Sequence, residues 1–293
     1  MKSQNIILDI DHTLLHAIDL NNKNSLSYLK KLQPNFDEYV KQHPDDFLLK
    51  NIKTYHPQLM DDKYLIFYRP GLQQFLDTLL SKYNVMIWTA GTQPYARFVV
   101  ENILSPLKVG LNVEICVKVI NTRNNTQKYQ LQDTLPIPSN INKIKGSNYV
   151  YIKASITSIH KSGKKFKIQT NNKNITFSRY INRKYIRPIN RKFQIVFSDP
   201  ECNKSMNKYN HIKKLSYVYS FVDKINKFPK FQKLNYNKHN TIIIDDNPDV
   251  IEDQTKNSIH IDQFNIRTDI KGVKDKYFQK IFSKINKKMR IIK

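Results

Sequence analysis

Two acidic pairs, each directly after a short apolar run, are the residues of this chain best suited to chemistry. Asp9 and Asp11 follow the run that begins at Asn5, and Asp245 and Asp246 close a run of three isoleucines. Carboxylates this close repel each other, and a divalent cation such as Mg²⁺ relieves the repulsion while screening an incoming phosphate. Phosphoryl transfer through a covalent intermediate requires a carboxylate nucleophile and a separate proton donor. The first pair can supply both groups, and the second pair supplies a metal ligand from a different strand.

A hydroxyl group and a lysine complete the set that a phosphoryl group needs. Thr89 and Gly91 end the apolar run from Val85, where a hydroxyl and backbone N–H groups can hold phosphoryl oxygens. Lys213 can neutralise the charge that develops during transfer, and its neighbour Lys214 can do the same. Each feature alone also has an ordinary structural explanation, as an N-cap threonine, a solvated lysine or an acidic turn. Their conjunction favours one shared phosphate site.

Short apolar runs that alternate with helical patterns predict the scaffold of this site. The runs do not alternate in polarity and are rich in Ile and Val, which is typical of strands buried on both faces of a parallel sheet. Segments 71–83 and 95–104 between them carry apolar residues at helical spacing. This order predicts an α/β fold with a doubly wound, mostly parallel sheet, whose ligands bind at the carboxyl ends of the strands. The predicted strands are Asn5–Ile10, Val85–Thr89, Gln194–Phe197, Thr241–Ile244 and Ser258–Ile261.

The stretch 106–192 shows a different pattern, with short alternating segments, turn residues at 162–164 and 171–174, and no helical period. We interpret it as a small β-rich insertion, comparable to a SH3- or Tudor-like barrel. The predicted domains are therefore a core of 1–105 plus 193–270, the insertion 106–192 and a C-terminal helix within 271–293. The strands predicted in the insertion are Tyr149–Ile159, Phe166–Thr170, Ile175–Phe177 and Tyr185–Ile189.

Basic residues concentrate in two places. The net charge is +25, of which residues 108–192 carry +16, residues 271–293 carry +8 and the remainder carries +1. The compositional drift of an AT-rich coding sequence would make the whole chain basic, so this distribution indicates a surface for an anionic partner. Two cysteines are too few for a disulfide framework, and the chain has neither a secretory apolar segment nor an 18-residue apolar stretch. We expect an intracellular protein, nuclear or cytoplasmic, with no membrane partner.

The motifs taken together resemble the FCP/SCP-type phosphatases of the haloacid dehalogenase superfamily, which act on the C-terminal domain of RNA polymerase II. The resemblance covers about 1–104 and 193–265. It depends on DIDHTLLH, YRPGLQQFL, MIWTAGTQPYA, FSDPEC followed by IKKLS, and IIIDDNPDV. It implies a haloacid-dehalogenase-like core, a Mg²⁺ cofactor and a protein serine/threonine phosphatase whose substrate is an acidic phosphoprotein, with the polymerase C-terminal domain as one such substrate.

The resemblance also implies a role for each site residue. Asp9 attacks phosphorus to form an aspartyl-phosphate, and Asp11 protonates the leaving oxygen and later activates water. Mg²⁺ is held by the carboxylates of Asp9 and Asp246 and the backbone carbonyl of Asp11, with Asp245 close by. The remaining implied roles are phosphate binding by Thr89, Gly91 and Lys213, and substrate positioning by Arg69.

Three departures from the family pattern leave the substrate open. The residue after the lysine is Lys214 instead of an acid, the insertion is long and basic, and we expect no BRCT-like domain after the core. One alternative is a nucleic-acid end phosphatase that binds strands through residues 108–192 and 271–293. The other is a catalytically silent phosphopeptide- or nucleic-acid-binding module, which would be expected to have lost Asp9 or Asp11, whereas both are present.

Overall fold

A computed structural model describes residues 4–21, 57–61, 63–121, 127–144, 148–170, 175, 177, 179–205, 213–227, 234–266 and 277–292. Contacts divide the chain into two compact units. The first unit comprises Met1–Ile6 and Leu76–Asn237, and the second comprises Ile7–Phe75 and Lys238–Lys293. The division falls inside the first strand, β1 (Asn5–Leu8), so that β1 contributes residues to both units.

The first unit contains a parallel sheet in the order β12-β5-β1. β5 (Asn84–Trp88) and β12 (Val196–Phe197) pair in parallel, with Phe197 opposite Trp88, and both of these rings are fully buried. The Asn84 N–H donates to the Gln4 carbonyl at 3.0 Å and thereby joins β5 to the start of β1. The described helices of this unit are α1 (Leu72–Lys82, whose first four residues belong to the second unit), α2 (Gln93–Val99, continued by a π-helical turn Val100–Leu104), α3 (Pro138–Ile144), a 3₁₀ helix (Arg183–Tyr185), α4 (Asp199–Ser205) and α5 (Leu215–Asn226).

The first unit also contains an antiparallel sheet in the order β10-β9-β8-β6-β11, with β7 paired to β6 as well. Exposure alternates along β9, which buries Phe166 and Ile168 in the core of this sheet. Among the described strands the pairing runs from β10 to β11 as an open path, so the interpretation as a closed barrel finds no support there. The strands are β6 (Asn112–Asn121), β7 (Gln127–Gln132), β8 (Tyr149–Ile159), β9 (Lys165–Thr170), β10 (Ile181–Asn182) and β11 (Ile186–Pro188).

The second unit contains parallel strands in the order β1-β13-β14 and a small antiparallel sheet in the order β2-β4-β3. The antiparallel sheet packs Ile18 and Phe67 against Phe264 and Ile266. The described residues of this unit also include two short helices and a long C-terminal helix. The elements are β2 (Leu15–Asp19), β3 (Gln58–Met60), β4 (Tyr64–Tyr68), β13 (Thr241–Asp245), α6 (Pro248–Glu252), a 3₁₀ helix (Thr255–Asn257), β14 (Ser258–His260) and α7 (Tyr277–Ile291).

The α/β class is confirmed, with parallel strands, helices and a separate antiparallel sheet. Several details differ from the prediction. The small sheet of the second unit and α3 were not predicted, because strands of three to five residues and a helix of seven residues are too short to show a period. Of the predicted strand 175–177, residue 176 lies outside the described residues, as do residues 171–174 and 271–276. The predicted domain boundaries stay a prediction. None of the described helices is long and apolar enough to cross a bilayer.

Candidate active site

A tight turn directly after β1 carries Asp9 and Asp11. The N–H groups of Leu14 and Leu15 donate to the Ile10 carbonyl at 2.8 and 3.2 Å, and the His12 N–H donates to the Leu15 carbonyl at 2.7 Å. His12 has φ 58°, in the left-handed region that non-glycine residues seldom adopt. The backbone around Asp11 is therefore fixed by hydrogen bonds on both sides of the residue.

Three buried carboxylates form an acidic cluster in the second unit. Asp9, Asp245 and Asp246 are 3%, 1% and 7% exposed, and each offers one oxygen within 4.8 Å of the others. They meet because the Asp9 N–H donates to the Ile244 carbonyl at 3.0 Å, which aligns the ends of two neighbouring parallel strands. Buried carboxylates this close repel each other unless a cation or a proton intervenes. An all-oxygen donor set fits a hard divalent cation such as Mg²⁺.

The Asp11 carboxylate is not a member of this acidic cluster of described residues. Asp11 is half-buried, whereas the three clustered aspartates are buried. This separation fits the division of roles expected from the sequence, in which Asp11 handles protons and contributes only its backbone carbonyl to the metal. The side chain of Asp245, expected close by, lies within the cluster.

Hydrogen bonds from neighbouring residues hold the clustered carboxylates in place. The Thr13 hydroxyl donates to Asp246 Oδ1 at 2.9 Å, and the Asn247 N–H donates to Asp245 Oδ1 at 2.9 Å. His260 Nε2 lies 3.0 Å from the Asp246 carbonyl, which accepts from the ring in the tautomer that protonates this nitrogen. Thr13 and His260 were not predicted. Thr13 had a usable signal, since it stands two residues after Asp11 in the series Asp-x-Asp-x-Thr.

Arg69, expected to position substrate, is 3% exposed in the second unit. Its two terminal nitrogens donate to the carbonyls of Thr13, at 3.0 Å, and Asp262, at 2.7 Å. Its guanidinium also lies 4.2 Å from the ring centroid of Tyr277. These contacts connect Arg69 with the turn after β1, and a direct contact with substrate stays a prediction.

The predicted phosphate-binding residues Thr89 and Gly91 lie at the end of β5 in the first unit. The Gly91 N–H donates to Thr89 Oγ1 at 2.9 Å, and the Cys202 thiol donates to the Thr89 carbonyl at 3.6 Å. Thr89 and Cys202 are fully buried, which agrees with a structural role for this thiol. The Gly91 amide thus orients the Thr89 hydroxyl.

Lys213 and Lys214, between which the sequence could not choose, differ in burial. Lys213 is 4% exposed, while Lys214 is half-buried and is the N-cap residue of α5. Burying an ammonium group is costly unless an anion or a hydrogen-bond partner compensates, and phosphate binding by Lys213 stays a prediction. Both lysines belong to the first unit, together with Thr89 and Gly91.

The helix that follows β12 starts with one half of a capping box, the bond from the N-cap N–H to the glutamate three residues later, which was also not predicted. The Ser198 N–H donates to Glu201 Oε2 at 3.0 Å, and Glu201 is 5% exposed. The pattern Ser-x-x-Glu is a known signal for a helix start, and Ser198 and Glu201 have this spacing. This bond stabilises the start of α4, whose Cys202 contacts Thr89.

A model of a known protein family matches most of the chain, beyond the individual motifs. The family model of the NLI interacting factor-like phosphatases matches residues 4–133 and 168–290, well over half of the chain. The chain belongs to this family. The match confirms the resemblance seen in the sequence and also enters the insertion from both sides, leaving only 134–167 of its interior unmatched.

Two curated relatives match only part of the chain. The CTD phosphatase-like protein 355R of invertebrate iridescent virus 3 is 34% identical over 104 residues, which are 36% of this chain and 46% of the relative. The corresponding protein of invertebrate iridescent virus 6 is 37% identical over 101 residues, 34% of this chain and 45% of the relative. The matches thus span about half the length of these curated relatives.

Two solved structures also align. The structure of Fcp1, an essential RNA polymerase II CTD phosphatase, covers 100% of this chain and 50% of its own, with 15% identity and a TM-score of 0.36. That of fission yeast Fcp1 bound to beryllium fluoride covers 100% and 52%, with 16% identity and a TM-score of 0.37. This likeness is too distant to bear on the site.

Proposed function

We propose that the chain is a Mg²⁺-dependent phosphatase that removes phosphate from phosphoserine or phosphothreonine in proteins. The observation that carries the proposal is the buried acidic cluster of Asp9, Asp245 and Asp246 in a member of a phosphatase family. Its oxygen-only donor set suits Mg²⁺, which when bound would neutralise charge on the carboxylates and the phosphoryl group. Asp9 is the first of the three in the chain and the one that starts the motif DIDHT.

The reaction proceeds in two displacements at phosphorus. In the first, an oxygen of the Asp9 carboxylate forms a bond to phosphorus while the bond to the serine or threonine oxygen breaks, and Asp11 gives that oxygen its proton. In the second, the Asp11 carboxylate takes a proton from water, and this water attacks the same phosphorus. The Asp9 carboxylate then leaves, inorganic phosphate is released, and Asp11 is protonated again for the next cycle.

In this proposal, Thr89 and Lys213 bind the oxygens of the phosphoryl group that is transferred. The Gly91 N–H occupies Thr89 Oγ1 as an acceptor, so the hydroxyl hydrogen of Thr89 is directed elsewhere. Lys213 contributes a compact charge that offsets the negative charge developing in transfer. Their roles rest on the family motifs and on their burial at 0% and 4% exposure.

The proposed substrate is an acidic phosphoprotein. Residues 108–192 carry a net charge of +16, which attracts acidic chains and disfavours basic ones. The named relatives are described as CTD phosphatase-like, and the polymerase C-terminal domain is therefore one phosphoprotein to test.

The first test compares Asp9→Asn with wild type on an aryl phosphate and on phosphopeptides. Because Asn cannot form the covalent intermediate, turnover should fall by about 10³-fold or more. Asp19→Asn is the matched control, since it removes an exposed carboxylate from β2 and should leave turnover unchanged. Wild-type activity should be lost with a chelator and restored by Mg²⁺. Equal turnover by Asp9→Asn and wild type would exclude the mechanism, and activity that ignores the chelator would exclude the metal.

A groove on the antiparallel sheet favours a second candidate, a phosphatase acting on the ends of single-stranded nucleic acid. The groove has a volume of ≈ 410 Å³, and its lining includes Lys165 and Arg179 together with the rings of Phe177, Tyr180 and Tyr185. None of the residues that line it is acidic. Cations beside aromatic rings are the combination that binds single strands, because phosphates meet the charges and bases stack on the rings.

A further inference from the structure

The C-terminal helix α7 packs against the second unit through one apolar face. Phe278, Ile281, Ile285 and Met289 are buried along it. The Phe278 ring stacks on Phe75 with centroids 4.2 Å apart and planes 12° apart. The first residue of the helix, Tyr277, is half-buried and makes contacts of a different kind.

Tyr277 touches two groups that themselves touch each other. Its ring lies over the Arg69 guanidinium at 4.2 Å, and its hydroxyl accepts the Asp262 N–H at 2.6 Å. Arg69 in turn donates to the Asp262 carbonyl at 2.7 Å. A guanidinium stacked on a ring and bonded in its own plane has little rotational freedom left.

Arg69 passes this constraint to the turn after β1. Its other terminal nitrogen donates to the Thr13 carbonyl at 3.0 Å. The Thr13 hydroxyl, on the same residue, donates to Asp246 Oδ1 at 2.9 Å. A continuous series of contacts therefore runs from Tyr277 through Arg69 and Thr13 to a carboxylate of the acidic cluster.

We propose that Tyr277 is a positioning residue for the acidic cluster, acting through Arg69 and Thr13. Tyr277 fixes the plane of the Arg69 guanidinium, which holds the Thr13 carbonyl, so that the Thr13 hydroxyl keeps Asp246 Oδ1 in one orientation. Residues that orient metal ligands control affinity even though they do not touch the metal. This inference rests on the proposed function, in which the cluster binds Mg²⁺.

The alternative is a purely structural role, in which Tyr277 only stabilises the start of α7. In that case its loss would lower the free energy of unfolding without changing the affinity of the folded protein for Mg²⁺. Binding of Mg²⁺ alone, measured by isothermal titration calorimetry on folded protein without substrate, separates the two roles.

The test uses Tyr277→Leu, which removes the ring and the hydroxyl, and Tyr277→Phe, which keeps the ring. The Kd for Mg²⁺ should rise about 3- to 10-fold in Tyr277→Leu and less in Tyr277→Phe, below the 10- to 100-fold typical of direct ligand partners. Phe282→Leu is the matched control, because its ring packs on Phe75 at 5.1 Å. It should lower the unfolding midpoint and leave the Kd unchanged.

A double-mutant cycle with Thr13→Val checks the route. If Tyr277 acts through Thr13, adding Tyr277→Leu to Thr13→Val changes the Kd no further. Should Tyr277→Leu fail to fold, Tyr277→Phe takes its place in the cycle. An unchanged Kd in the Tyr277 variants, or an equal rise in Phe282→Leu, would overturn the positioning role while wild type still binds Mg²⁺. Absence of Mg²⁺ binding by wild type would instead overturn the proposed metal site.

Discussion

At the scale of single residues, Gly91 shows how little space the end of β5 leaves. A Cβ at this position would lie 2.5 Å from Tyr95 Cδ1 and 3.2 Å from Thr89 Oγ1. The Tyr95 ring is 5% exposed and therefore cannot move freely. Gly91 is thus required for close packing, and its N–H is required to orient Thr89.

Gly91→Ala should consequently destabilise the fold by about 1–3 kcal/mol, the usual cost of overpacking. Turnover should fall at least about tenfold, because the new methyl group displaces the Thr89 hydroxyl. Urea unfolding and steady-state kinetics measure the two effects. Combining it with Tyr95→Leu removes the clash, so the double mutant should be less destabilised than the sum of the single mutants. Additive effects would show that the ring and the methyl group do not meet.

The residues of the acidic cluster could be predicted from sequence because each follows a run that reads as a buried strand. Thr13 and His260 could not be chosen in the same way. Their roles depend on which atoms face Asp246 once β1, β13 and β14 lie side by side, and that information is long-range. Likewise, the difference in burial between Lys213 and Lys214 at the start of α5 could not be predicted, because adjacent lysines do not encode it.

At the scale of elements, the parallel strands and the antiparallel strands β8, β9 and β11 were predicted, whereas the small antiparallel sheet of the second unit was not. The run Ile242–Ile244 is apolar throughout because both faces of β13 are buried. β2, in contrast, has His16 among its buried residues and owes its place to pairing with β4, where His16 lies opposite Phe67. β6 similarly mixes Glu114 and Lys118 with buried residues, because one face of the antiparallel sheet carries charge.

An ion pair joins two strands of that sheet. Arg187 on β11 donates to Glu114 on β6 through Nε at 2.8 Å, and Lys192 lies 3.6 Å from the same oxygen. Burial alone raises the pKa of Glu114, but Arg187 and then Lys192 outweigh it, so the pKa lies below its ordinary value. The unfolded chain therefore binds the proton more tightly than the folded one, and Glu114 contributes stability that is lost as pH falls through its folded pKa.

The prediction is that Glu114→Gln is less stable than wild type at neutral pH and that this difference shrinks on acidification. Urea unfolding at a series of pH values from neutral to about one unit below the ordinary carboxyl pKa gives the two curves. Arg187→Met should also make the free energy of unfolding less dependent on pH, because it removes the cation that lowers the pKa of Glu114 most. A difference that stays constant with pH would mean that the pair does not perturb Glu114.

At the scale of the whole molecule, the acidic cluster and the most basic part of the chain belong to different units. The acidic cluster belongs to the second unit, while residues 108–192, with their net charge of +16, belong to the first. A uniform compositional drift does not produce this concentration of charge, which is the reason for proposing an anionic partner. The sequence predicted this asymmetry, but the groove beside β10 emerges only from the fold, because its lining comes from separate strands and turns.

The groove gives a test that separates a nucleic-acid partner from an acidic peptide. For single-stranded RNA or DNA, Lys165→Gln and Arg179→Gln should each weaken binding and lower the salt slope by about one, as expected for a lost phosphate contact. Tyr180, 42% exposed, should act by stacking, so Tyr180→Leu should weaken binding by about 1–3 kcal/mol with the salt slope unchanged. Lys224→Gln, which removes the same charge from α5, is the control and should have little effect.

Fluorescence anisotropy with a labelled oligonucleotide and a labelled phosphopeptide at several salt concentrations provides these values. An acidic peptide has charge but no bases, so its binding should follow Lys165 and Arg179 and be indifferent to Tyr180, because stacking on this ring requires a base. The Tyr180→Leu variant is therefore the measurement that distinguishes the partners. Failure of the oligonucleotide to bind at low salt, or an equal effect from Lys224→Gln, would remove the groove as a nucleic-acid site and leave the phosphoprotein as the partner of the basic insertion.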